Sequence, residues 1–89
     1  MTHLIKRKGH HERFDERKLY ASIYAAAMAN HRHKKTAEEL ADIATKKIKK
    51  WVDSKKHISS EELFKETIKI LKTIDKEVAF LYETHRDIY

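Results

Sequence analysis

The chain has 89 residues, a single glycine, no proline, no cysteine and a formal net charge of +6. That length makes one domain with a small core, burying roughly 60–65% of the unfolded surface. Without cysteine there is no disulfide, zinc ribbon or thiol chemistry, and no apolar run, that around Ala25 to Ala29 included, is long enough to span a bilayer.

The positive balance favours anionic partners, whether nucleotide, nucleic acid or an acidic protein face, without choosing among them. Met1 leads into charged residues rather than an apolar block, so a cytoplasmic protein is the expectation.

Residues 3–7 and 10–14 are expected to pair as a hairpin across Lys8-Gly9, where glycine supplies the positive φ of a tight turn. Asp15 is placed to cap a first helix running to about Asn30, with Leu19, Tyr20, Ile23, Tyr24 and Ala27 inward. Ala21, Ala25 and Ala26 offer a neighbouring element close approach.

Asn30 to Lys35 reads as a polar loop. Thr36 is expected to open the second helix through a capping box with Glu39, and that helix should run to about Ser54. Leu40, Ala44, Ile48, Trp51 and Val52 share one side of it; Lys46, Lys47, Lys49 and Lys50 fall on the other.

His57 and Ile58 read as extended, a third short strand beside the hairpin. Ser59 and Glu62 form a second capping box. The third helix turns Leu63, Phe64, Thr67, Ile68, Leu71 and Ile74 inward, and Asp75 caps a fourth carrying Val78, Ala79, Leu81 and Tyr82. The expected class is α+β: four helices capped by a small β-hairpin or three-stranded sheet.

The hairpin-to-helix stretch is the chemical candidate. A helix N-terminus presents unpaired N–H groups and positive potential to an anion. Lys6 and Arg7 precede it on a strand, and Lys18 lies one turn into the helix, so the three are expected to converge. The plainer reading is a hairpin with solvated charges, since the glycine content is far below that of a P-loop.

These residues resemble the ATP-cone domain. The likeness rests first on Ile5-Lys6-Arg7-Lys8-Gly9, Glu12, Phe14-Asp15 and Lys18-Leu19. It is carried further by Ile58-Ser59-Ser60-Glu61-Glu62-Leu63 and by Ala79-Phe80-Leu81-Tyr82 through Arg86. The resemblance implies four helices under a small sheet, and binding of ATP or dATP for regulation rather than turnover. It implies attachment or docking to ribonucleotide reductase, or to a zinc-ribbon repressor of its genes. By position, Lys6, Arg7 and Lys18 would hold phosphates, Glu12 and Asp15 would lie near the base, and Ser60 would offer a hydroxyl at another helix N-terminus. This chain departs from the pattern at Lys8, usually aspartate. It also departs at Ile74-Asp75-Lys76, which lacks a following proline, and at Phe64, polar in some members. With neither catalytic domain nor zinc ribbon in it, the sequence is expected to be a free-standing cone or an excised piece.

His10-His11 and the His31-x-His33 pair do not make a metal site, which needs three or four converging ligands. Mg²⁺ is expected only with the nucleotide, held by phosphates and water. The lysine face of the second helix, with Arg32, Lys34 and Lys35 before it, suggests a different protein: a small basic adaptor for nucleic acid or an acidic protein. No aromatic is interleaved with those lysines to stack a base, and a solvated face explains them more simply. No nucleophile with a His/Asp relay is present, so the chain is read as a non-enzyme. Its expected partners are an adenine nucleotide and either a protein such as ribonucleotide reductase or a second copy, with nucleic acid disfavoured and no membrane.

Overall fold

The structure, a computed structural model, describes residues 4–7 and 10–84, and side chains from residue 13 onward. The Lys8-Gly9 turn and Arg86 lie outside the described residues. The elements are β1 (Leu4–Arg7), β2 (His10–Arg13), α1 (Glu16–Ala29), α2 (Lys34–Asp53), β3 (Ile58–Ser59), α3 (Ser60–Ile74) and α4 (Lys76–Thr84). The protein is mostly helical. Its strands pair in the order β2-β1-β3, and β3 contributes only two residues.

Asp15 starts α1. Its backbone is extended (φ −114°, ψ 105°), and its Oδ1 accepts from the amides of Arg17 at 3.0 Å and Lys18 at 3.2 Å. Leu19, Ile23, Ala26 and Ala27 form the buried stripe. Ala21 and Ala25 are exposed, contrary to expectation, whereas Ala26 and Ala27 are buried; α1 packs against α2, which buries Ala37, Ala41 and Ala44, and against α4. Tyr20 and Tyr24 are half-buried at the rim of the core and stack with centroids 6.3 Å apart. Their long rings reach the surface even where their Cα atoms sit on the inner half of the helix.

α1 ends at Asn30, whose N–H bonds back to the carbonyls of Ala26 and Ala27. His31 then turns the chain in the left-handed region at φ 62°, a conformation in which histidine is one of the enriched residues.

The expected capping box from Thr36 to Glu39 does not form. α2 begins at Lys34 with His33 as N-cap, no side chain caps it, and Ala37 N donates to His33 O at 2.8 Å. Ala37 explains the difference. It is fully buried and opens the stripe of Ala37, Leu40, Ala41, Ala44 and Ile48. Seating it requires a helical turn ahead of it, and tertiary packing outweighs one local cap of about 1 kcal/mol. Trp51 is half-buried against the core, with Lys55 Nζ 5.6 Å from its ring centre.

The second box forms in full. Glu62 N donates to Ser59 Oγ at 3.0 Å, and Ser59 N donates to Glu62 Oε1 at 3.3 Å. α3 then buries Leu63, Thr67, Ile68 and Leu71, and the Thr67 hydroxyl is satisfied by Leu63 O at 2.7 Å. Asp75 caps α4, accepting from Glu77 N at 3.1 Å and Val78 N at 3.2 Å.

α4 closes the core with Val78, Ala79 and Tyr82. Tyr82 stacks on Phe64 at 5.9 Å and meets Ser22 Oγ of α1 at 3.1 Å. Ser22 spends its single hydrogen on Leu19 O at 2.7 Å, so Tyr82 is the donor to Ser22. Each fully buried leucine or isoleucine of this core contributes about 1.5–3 kcal/mol. Among the described residues, no helix is long and apolar enough to cross a membrane.

Candidate functional site

Strand register positions the site. β1 runs antiparallel to β2, with Leu4 opposite Arg13, Ile5 opposite Glu12, Lys6 opposite His11 and Arg7 opposite His10. On its other edge β1 runs parallel to β3, with Ile5 opposite Ile58 and Lys6 opposite Ser59. Ile58, only 2% exposed, roots β3 in the core.

Two helix N-termini therefore leave this small sheet. α3 leaves from the Lys6 end of β1, directly after Ser59, and Ser60 is its first residue. α1 leaves from the Leu4 end, after Arg13 and the two-residue link to Glu16. Leu4 and Lys6 are two residues apart along β1, about 7 Å at some 3.3 Å per residue.

The candidate residues sort accordingly. The backbone brings Lys6 beside Ser59 and Ser60, with Arg7 next along the strand. Glu12 sits on β2 across from Ile5. The side chains of Lys6, Arg7 and Glu12 lie outside the described residues. Asp15 and Lys18 stand at the other end, in the first turn of α1, both exposed. Ser60 is half-buried, and one turn further along α3 the half-buried Phe64 rests on Tyr82. The register thus joins Lys6 and Arg7 to Ser60, and sets Asp15 and Lys18 at the far end of the same ladder.

A groove of about 790 Å³ opens on the neighbouring side of α1, lined by residues 13–17, Tyr20, Asp42, Thr45 and Lys46. Burial, then the carboxylates of Glu38 and Asp42, raise the Tyr20 hydroxyl above its ordinary pKa. Its O–H points to Glu38 O at the long distance of 3.5 Å. Of these residues Asp15 was a candidate for the nucleotide, Phe14 stands beside it in the same motif, and Lys46 belongs to the lysine face of α2; Tyr20, Asp42 and Thr45 carry no motif. The lysine face of α2 is exposed, as its spacing suggests, but Lys46 pairs with Asp42 at 3.0 Å and Lys49 with Glu16 at 3.5 Å. Among the described residues no three His, Cys, Asp or Glu side chains gather as a metal would need.

A family model described as the ATP cone domain matches residues 2–88. The chain belongs to the ATP-cone family. The match spans all three stretches on which the resemblance rested, from Ile5 to Arg86. No curated protein and no solved structure matches the chain. ATP-cone domains are nucleotide-binding regulatory modules that take ATP or dATP, and this chain is one by family. In this ATP-cone a helix N-terminus thus lies near each end of β1, α1 following β2 and α3 following β3.

Proposed function

We propose that this ATP-cone binds ATP or dATP across β1 and the N-termini of α1 and α3, and that ligand state controls its association with a protein. Lys6, Arg7 and Lys18 hold the phosphates, Ser60 adds a hydroxyl, and Glu12 and Asp15 accept from the adenine amino group. The observation that carries the reading is the parallel pairing of Lys6 with Ser59. It sets a cationic strand against the start of α3, where unpaired amides favour a phosphate.

A nucleoside triphosphate is long enough to reach from there toward Lys18. Asp15 serves as cap and as base contact in this reading, a carboxylate offering about four acceptor positions. Magnesium would arrive on the phosphates and keep most of its waters, so it asks for no cluster of protein ligands. The chain acts without turnover, in the cytoplasm, on a second copy of itself or on a partner such as a ribonucleotide reductase chain. Bound triphosphate neutralises local positive charge in a chain of net charge +6, which changes the repulsion between basic surfaces.

Calorimetric titration with ATP, dATP and GTP in magnesium tests this, with light scattering on the same samples. Adenine nucleotides should bind at about micromolar Kd, some 8 kcal/mol, with GTP weaker because guanine presents a carbonyl where adenine has its amino group. The scattering, or capture of the partner, should differ with and without nucleotide. Absence of heat with every nucleotide at millimolar concentration would sink the reading.

A further inference from the structure

Apart from Asp15, the groove beside α1 is lined by residues to which the nucleotide reading gives no role. Thr45 lines it at 5% exposure, and its Oγ1 has no hydrogen-bond partner among the described residues. A buried hydroxyl without a partner is costly and uncommon in a folded chain, and asks for an explanation such as a missing ligand.

The acids around the groove are engaged. Asp42 holds Lys46, Glu16 holds Lys49, and Asp15 Oδ1 takes two amides of α1. The guanidinium groups of Arg13 and Arg17 are exposed and pair with no carboxylate among the described residues. The half-buried rings of Phe14 and Tyr20 line the same groove.

Among the described residues, the groups of the groove still open to a ligand are therefore two guanidinium forks, an aromatic wall and one hydroxyl. A guanidinium fork matches a planar or tetrahedral oxyanion. An aromatic wall matches a flat apolar body, and the volume of about 790 Å³ falls in the range of small-molecule sites.

The geometry points to a second binding site in this groove, for a small aromatic anion of the aryl phosphate or aromatic carboxylate class. The oxyanion is held by Arg13 and Arg17, the ring lies against Phe14 and Tyr20, and a polar atom of the ligand satisfies Thr45. The site adjoins the nucleotide site at Asp15 but uses neither β1 nor α3, and it does not depend on the nucleotide reading.

The test is a two-dimensional amide NMR titration with phenyl phosphate, run with and without saturating ATP and magnesium, and repeated with inorganic phosphate. Saturable shifts are expected at Tyr20 and residues 42–46, away from the nucleotide contacts, with the same affinity in the presence of ATP and at least tenfold weaker for inorganic phosphate. The double variant Arg13→Gln/Arg17→Gln should weaken phenyl phosphate at least tenfold. Thr45→Val should weaken it several-fold without lowering the melting temperature. Shifts that fail to saturate, equal response to inorganic phosphate, or displacement by ATP would each overturn the assignment.

Discussion

Arg32 grips Asp75 through two nitrogens, Nε to Oδ2 at 2.7 Å and Nη2 to Oδ1 at 3.0 Å, while the same carboxylate caps α4. One residue of the α1–α2 loop is thereby tied to the α3–α4 junction, 43 positions away in sequence. Arg32 also donates to Asn30 O at 3.3 Å and to Glu77 Oε1 at 3.3 Å. The clamp joins the two helix pairs at the end where both connecting loops lie, and it couples α4's start to the position of the turn at His31.

Acid sensitivity follows from this clamp. The Arg32 hydrogen bond, helped by the α4 amides, lowers the Asp75 pKa below its ordinary value, with burial opposing. A folded pKa below the unfolded one means that the unfolded chain binds the proton more readily. The stabilisation is therefore complete above the unfolded pKa, about 3.9, and is lost as pH falls through the lower folded value. Thermal melts from pH 6 down to pH 2 should show a fall in melting temperature at the acid end that Arg32→Gln makes shallower. Identical acid profiles for the two proteins would show that the clamp has no part in it.

Two serine and threonine caps separate local pattern from tertiary outcome. Ser59→Ala should destabilise by about 1 kcal/mol, because it removes one half of a formed box. Thr36→Ala should stay within about 0.5 kcal/mol, since Thr36 is exposed and caps nothing. Urea denaturation of both variants makes the comparison, and equal losses would contradict the described start of α2.

Nucleotide grip and fold stability should part company at the lysines. Lys6→Ala and Lys18→Ala should each cost about 1.5–3 kcal/mol of triphosphate binding and within about 0.5 kcal/mol of stability. Asp15→Ala should lower both, because Asp15 caps α1. Calorimetry and thermal melts on the same preparations read the two effects. Full affinity in folded Lys6→Ala and Lys18→Ala proteins would remove the phosphate assignment.

The core gives a sharper contrast along α3 and α4. Leu71→Ala should cost about 2–5 kcal/mol, as Leu71 is fully buried. Phe80→Ala should change stability by less than about 0.5 kcal/mol, since Phe80 is 66% exposed. Denaturant midpoints with unchanged slopes would measure both, and a loss above 2 kcal/mol for Phe80→Ala would place it in contacts beyond those described.

Much of the scaffold was legible in the sequence because its signals are local. Asp15, Ser59 and Asp75 cap the helices they precede, and each needs only its own next three residues to do so. The stripes of Leu19, Ile23 and Ala27, and of Leu40, Ala44, Ile48 and Val52, follow from 3.6-residue periodicity and are fully or nearly fully buried. The family was legible from three ordered stretches, and the match over residues 2–88 covers them all.

Tertiary structure decided what locality does not encode. Thr36 has the pattern of a cap, yet α2 starts at Lys34 because Ala37 must be seated in the core. Arg32 reads as one more cation of a basic loop, yet it is bound to Asp75. Ala21 and Ala25 look as suitable for close packing as Ala26, yet the rotation of α1 exposes them. The α1–α2 groove joins Arg13, Tyr20 and Thr45, which no spacing rule connects. Capping and periodicity act over one or two helical turns, so sequence by itself determined where most elements lie and which faces are apolar. Which cation meets which carboxylate, and which hydroxyl is left without a partner, depends on how four helices and a short sheet are brought together, a choice made by burial across the whole chain.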